Sequence, residues 1–307
     1  MGVDSPDRPR RGDTGRRLLR ARWRFARLPG DALPGFGHHR RTGRRGAVRR
    51  TARGPGQQHD SHSGPRRRSR RARSGGVIFI GEGALLWRAV RAATAGGYRV
   101  DLVCTRSDQT APDQVPVLKT RDVNTDAIRI KSACSDGLVW SINNPTILRA
   151  PLLDFGLRIY NIHNGPLPAY RGRPEIAITY ALLNGETRYG ATLHEVDHGV
   201  DTGAVLDVEE FPIRPEDRFQ EVMMTGLRAC HTLFERNLDA AVNGLLTPAK
   251  PSTVGGGYYG RERLEELAGY RGSSRYDRAG HLGVFTPVYP DLAAALADPA
   301  TAESAHS

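Results

Sequence analysis

The sequence predicts an α/β fold on a mostly parallel sheet, and three observations carry that prediction. Short β-branched runs alternate with helical stretches from residue 77 onward, and such alternation builds right-handed βαβ units. The first run, 77–80, is continuously apolar, as a strand covered on both faces requires. Gly81 and Gly83 follow it and permit the tight turn from strand into helix.

Taken in order, a helix over 84–95 is closed by Gly96 and Gly97. Strands are expected over 99–104, within 115–123, over 137–142 and over 158–162, with helices over 126–133 and 146–154 between them. A helix over 175–183 precedes two later strands, 189–196 and 205–213. The helix over 217–243 carries an apolar stripe of Val222, Leu227, Cys230, Leu233 and Leu238. Glycines 255–257 mark a break before a short helix over 261–267, and the last dozen residues, small and polar, read as frayed. The Gly81-x-Gly83 turn lacks a third glycine at Leu86, and Asp108 is a loose fit to the acidic residue that a nicotinamide-binding unit needs. Tight packing of the turn is the better reading.

Charge divides the chain. Of 307 residues, the first 75 hold 22 Arg, five Asp and neither Lys nor Glu, so they carry +17 of the net +12 and the remaining 232 carry −5. This Arg/Gly/Pro/Ser-rich tail buries too little apolar surface to offset its chain entropy and is expected to be disordered. It reads as a phosphate-gripping arm, as a transit peptide, or as an over-extended start in a GC-rich gene; the last is favoured. The expected organisation is a tail over 1–75, a catalytic domain over 76–245 and an appendage over 246–307. An acidic body makes nucleic acid a poor partner for it. No apolar run reaches membrane-span length. Three cysteines, Cys104, Cys134 and Cys230, lack paired metal spacing and read as reduced thiols in a cytoplasmic protein that holds no metal.

Asn161 and His163, two apart on a strand, point to the same face. The Gly-Pro-Leu-Pro over 165–168 can continue neither strand nor helix, so the pair sits at the strand's carboxyl end. That end of an open α/β sheet is where ligands bind. Further on stand Tyr170, Arg171, Gly172, then Asn184, Gly185, Glu186, then Gly190, Thr192, His194, and finally Asp201 and Gly203. In this order and spacing, over about 76–213, the chain resembles the folate-dependent formyltransferase family, which includes glycinamide ribonucleotide transformylase, sugar N-formyltransferases and methionyl-tRNA formyltransferase.

The resemblance implies a Rossmann-like catalytic domain that moves a formyl group from 10-formyltetrahydrofolate, as cosubstrate, to an amine. It implies Asn161, His163 and Asp201 as the catalytic trio. An imidazole, with an ordinary pKa of about 6.5, can give and take protons at neutral pH. Asn161 offers an amide donor to a developing oxyanion. Asp201 would orient the imidazole, hold a water or favour the charged ring, three roles that stay open. The folate would lie against Ile142, Asn143, Asn144, Leu167, Pro168 and Asp197. Arg171, Arg173 and His194 are expected to face the acceptor, although His194 equally fits bracing its loop, and Glu186 reads as a turn anchor.

The Gly-Pro-Leu-Pro variant resembles formylation domains of peptide-assembly enzymes, which points to a small-molecule or carrier-bound amine in specialised metabolism. Methionyl-tRNA fits less well, because 106 residues after Asp201 are few for a tRNA-binding domain. A formyltetrahydrofolate hydrolase and a non-catalytic RNA-binding module using the Arg-rich tail remain the alternatives, and pairing of subunits into a homodimer stays open.

Overall fold

A computed structural model describes residues 73–108, 114–249 and 256–297. The expected disordered tail falls outside them, except that the first strand already begins within its last three residues. The frayed end also falls almost wholly outside. Nine strands are described: β1 (Arg73–Gly81), β2 (Tyr98–Thr105), β3 (Val117–Lys119), β4 (Leu138–Ile142), β5 (Arg158–His163), β6 (Tyr170–Gly172), β7 (Arg188–Glu195), β8 (Val205–Pro212) and β9 (Gly257–Tyr259). The helices are α1 (Gly83–Ala95), α2 (Ala127–Ala133), α3 (Pro174–Asn184), α4 (Phe219–Val242), α5 (Tyr276–Gly280) and α6 (Pro290–Leu296).

Seven strands form one sheet in the order β3-β2-β1-β4-β5-β7-β8. The pairs from β3 through β5 are parallel, whereas β5–β7 and β7–β8 are antiparallel. The chain leaves β1 first toward one edge and then returns to its other side with β4, so a crevice opens beyond the carboxyl ends of these strands. Gly81 adopts φ 153°, and a Cβ there would strike the Ile142 carbonyl. The glycine serves close packing of the turn, as expected.

Side chains alternate across the strands into two cores. On one face α1, α3 and α4 cover Val77, Phe79, Trp140 and Ile162. Phe234 of α4 is the hub there, 5.2 Å from Trp140 at 77° and 5.8 Å from Phe79, between ring centroids. On the other face α2 covers Ile78, Ile80, Cys104 and Val139. Nine of the eleven residues of α3 are buried, so it is enclosed on nearly all sides; Pro174 opens it and Gly185, at φ 77°, ends it.

One expectation fails. No α-helix forms over 146–154; the segment is irregular, with one 3-10 turn at Leu153–Phe155. Pro151 removes an N–H donor and disfavours helical geometry at Ala150, which outweighs the apolar spacing. The short helix expected over 261–267 forms as a 3-10 helix over Arg261–Tyr270. Sequence reasoning also missed a second sheet, in which β6 pairs in parallel with β9. Tyr170 stacks on Tyr259 there at 5.0 Å and 15°. Leu267, Phe285 and Leu292 from the C-terminal segment join the same core as α3 and α4, so that segment buttresses β6 and the site beside it.

Candidate active site

Register builds the site. In the antiparallel pair of β5 and β7, Asn161 lies opposite His194 and His163 opposite Thr192. Cross-strand neighbours share a face, so two imidazoles, an amide and a hydroxyl project together at the end of β5. Thr192 fixes the turn that follows: its hydroxyl donates to the Gly165 carbonyl at 2.8 Å and accepts from the Leu167 N–H at 3.0 Å. Gly165 is required because a Cβ would run into the His163 ring at about 2.5 Å.

Asp201 reaches this group from the loop between β7 and β8. Its backbone is left-handed, φ 54°, a region that Asp tolerates better than most residues. Gly203 lies against the Glu195 carbonyl where no Cβ fits, and Asp197 holds the loop by accepting from Gly199 N–H at 3.0 Å and the Thr202 hydroxyl at 2.6 Å. The Asp201 carboxylate accepts from the Gly172 N–H at 2.9 Å. One oxygen stands 3.6 Å from His163 Nδ1 and the other 3.6 Å from His194 Nε2. Those separations are too long for hydrogen bonds and short enough for strong attraction to a protonated ring. Asp201 therefore sits midway between two imidazoles.

The rings are held at their other nitrogens. His163 Nε2 lies 2.6 Å from the Tyr170 carbonyl and His194 Nδ1 lies 2.7 Å from the Glu195 carbonyl. A carbonyl only accepts, so each of these nitrogens carries the proton. In the neutral rings the lone pairs at His163 Nδ1 and His194 Nε2 then both face Asp201. Burial pushes His194 below the ordinary imidazole pKa, its neighbour His163 adds to that, and Asp201 opposes it. The side chain of His163 is 4% exposed and that of Asp201 12%, which puts the carboxylate nearer to solvent.

The remaining expected residues take varied places. Asn161 is brought to His194, its Nδ2 3.0 Å from the ring Nε2. His194 itself is 2% exposed, with its ring nitrogens on Asn161 and on the Glu195 carbonyl. Ile142 ends β4 and is buried. Asn143, at φ 49°, donates to the Glu82 carbonyl at 3.0 Å, and Asn144 closes its own turn on Thr146. In the turn that follows His163, Leu167 is buried and Pro168 half-buried. Arg171 leaves its buried Nε without a hydrogen-bond partner among the described residues, whereas Arg173 pairs with Glu175 at 2.6 Å. Glu186 accepts from the Tyr170 hydroxyl at 2.8 Å, the anchoring role expected of it.

The groups that sequence reasoning missed are mostly backbone: the Tyr170 and Glu195 carbonyls and the Gly172 N–H, which carry no side-chain signature. Glu82 was also missed. It lines a shallow surface recess with Arg106, Arg121 and Asn144. Burial raises the pKa of its carboxyl against the pull of Arg106, 3.3 Å away. Among the described residues no cluster of three or more His, Cys, Asp or Glu is placed to hold a metal, and no helix is long and apolar enough to cross a membrane.

Comparison with known proteins adds the following. Residues 146–238 match the family model described as formyl transferase. A methionyl-tRNA formyltransferase from Syntrophus aciditrophicus is 32% identical over 161 residues, which cover 47% of this chain and 51% of that protein. The trifunctional purine biosynthetic protein adenosine-3 of Drosophila melanogaster is 35% identical over 128 residues, 41% of this chain and 9% of its own length. The matches thus span about half of these curated relatives or less. Among solved structures, a 4-N formyltransferase from Francisella tularensis superposes with a TM-score of 0.53 at 18% identity, over 63% of this chain and 79% of that one. Glycinamide ribonucleotide transformylase 1 from Symbiobacterium toebii gives 0.51 at 22%, over 57% and 91%. These two share the fold.

Proposed function

We propose that the chain, whose residues 146–238 match the family model described as formyl transferase, moves a formyl group from 10-formyltetrahydrofolate to the amine of a small-molecule or carrier-bound acceptor. The observation that carries this reading is Asp201 standing 3.6 Å from both His163 and His194, with Asn161 bonded to the second ring. The trio of an amide, an imidazole and an acid suits acyl transfer between nitrogens, where one nitrogen must shed a proton and the other must gain one.

The bound folate supplies an activated formyl group. Asn161 presents amide N–H to the carbonyl oxygen as it gains charge; such a donor is worth about 2.7–4 kcal/mol of barrier. His163 keeps Nε2–H on the Tyr170 carbonyl, so Nδ1 is the nitrogen that accepts a proton. Asp201 then faces the charged ring and stabilises it. The folate would rest on the backbone at Ile142, Asn143 and Asn144, on Leu167 and Pro168 and on the loop that Asp197 braces. Arg171, whose Nε has no partner among the described residues, would take an acidic group of the acceptor.

Methionyl-tRNA is the second reading, favoured by the named activity of several relatives. The test is incubation of the protein with 10-formyltetrahydrofolate and a panel of amino sugars, amino acids, carrier-bound aminoacyl groups and methionyl-tRNA. Product mass identifies the acceptor. Formate released with no amine present would make the protein a hydrolase, and no consumption of formylfolate with any acceptor would overturn the enzyme reading. Deleting residues 1–72 is expected to leave transfer intact; an RNA-binding module acting through its Arg-rich segment would lose its activity instead.

A further inference from the structure

We infer that His194 is a positioning residue whose tautomer, set by the Glu195 carbonyl, decides which way the Asn161 carboxamide faces. This rests on the transfer reading above and goes beyond it by assigning the device that orients the oxyanion donor. The chain of constraint starts at the backbone. Glu195 O accepts from His194 Nδ1 at 2.7 Å, so Nδ1 bears the hydrogen and the neutral ring has its lone pair at Nε2. An atom 3.0 Å from that lone pair must be a donor, so the amide group facing it is Nδ2 and not Oδ1. One N–H of Asn161 is thereby held, and the second N–H and Oδ1 are fixed in direction. Nothing softer would do this, because Asn161 and His194 are direct cross-strand partners and the histidine is 2% exposed.

The device works only while the ring is neutral. A proton on Nε2 would meet the Asn161 N–H head on, and the amide would have to turn over to offer Oδ1, which removes the donor from the reacting carbonyl. The titratable groups facing the ring are Asp201, His163 and Asp197. Burial holds it toward the neutral form, while Asp201 and Asp197 pull the other way.

Two variants and one spectrum test this. Gln at position 194 sets an acceptor oxygen near the place of Nε2, whereas Leu removes it. His194→Leu should lose roughly 100-fold in kcat with KM for both substrates changed less than about threefold, the loss typical of a misaligned reacting group. His194→Gln should recover to within about tenfold of the parent, and the acid limb of its kcat profile should weaken, since an amide does not titrate. Independently of activity, 15N and 13C spectra of histidine-labelled full-length protein should show His194 as the Nδ1–H tautomer at pH 7.5. A His194→Leu enzyme with parental kcat, a Gln variant no better than Leu, or an Nε2–H or charged ring at that pH would each overturn the inference. If Leu fails to fold, the Gln variant and the spectrum still decide. If the parent transfers formyl to no acceptor, the reading of function fails, and the tautomer is still settled by the spectrum.

Discussion

Replacing Asp201 by Asn removes one charge and little else. Asn tolerates the left-handed backbone at φ 54°, and its Oδ1 still accepts from the Gly172 N–H that Asp201 holds at 2.9 Å. What disappears is the attraction between the carboxylate and the His163 ring once Nδ1 has taken a proton. At 3.6 Å and an effective dielectric near 20, two unit charges interact by about 4.6 kcal/mol. The 12% exposure of Asp201 lets water weaken that to about 3–4 kcal/mol. Transfer should therefore slow by about 100- to 1,000-fold, with the melting temperature little changed. Asp201→Ala is a poorer probe, because it also strands the Gly172 N–H, at about 1–3 kcal/mol, and puts Ala in left-handed backbone. The assay is single-turnover formyl transfer alongside thermal melting. An Asn variant within threefold of the parental rate would remove the charge of Asp201 from the mechanism.

Further outcomes follow from other parts of the structure. The folded-state pKa of His194 is lowered chiefly by burial, so the unfolded chain takes up a proton that the folded one refuses; stability should fall as pH drops below about 6.5, and His194→Gln should flatten that slope in urea titrations. Burial raises the thiols of Cys104 and Cys230 to about 12, so neither should react with a thiol reagent at pH 8 until the protein is unfolded; rapid labelling of the native state would contradict their burial. Phe234→Ala opens the space between Phe79 and Trp140 and should cost about 3–5 kcal/mol, read from denaturant unfolding. Tyr259→Ala removes the ring stacked on Tyr170 and should slow transfer about tenfold by loosening the strand that carries Gly172, whereas an unchanged rate would separate the C-terminal segment from the site.

Much of this was legible without coordinates. The alternation of strands and helices, the chain break at Gly96 and Gly97, and the position of Asn161 and His163 at a strand's end follow from local rules of periodicity and turn chemistry. Those rules act over a few residues, so a sequence displays them directly. The helix expected over 146–154 failed at Pro151, where a single missing donor outweighed a favourable pattern.

The amino-acid sequence by itself determined the α/β class, the divided charge and the residue types from which a proton-handling site is built. Tertiary structure alone decided that Asp201 stands between two imidazoles, that His194 meets Asn161 across the strands, and that β9 comes back to pair with β6. The physical reason is sequence distance. Strand register and backbone hydrogen bonds join residues far apart in the chain, and a carbonyl that fixes a ring nitrogen leaves no trace in the letters.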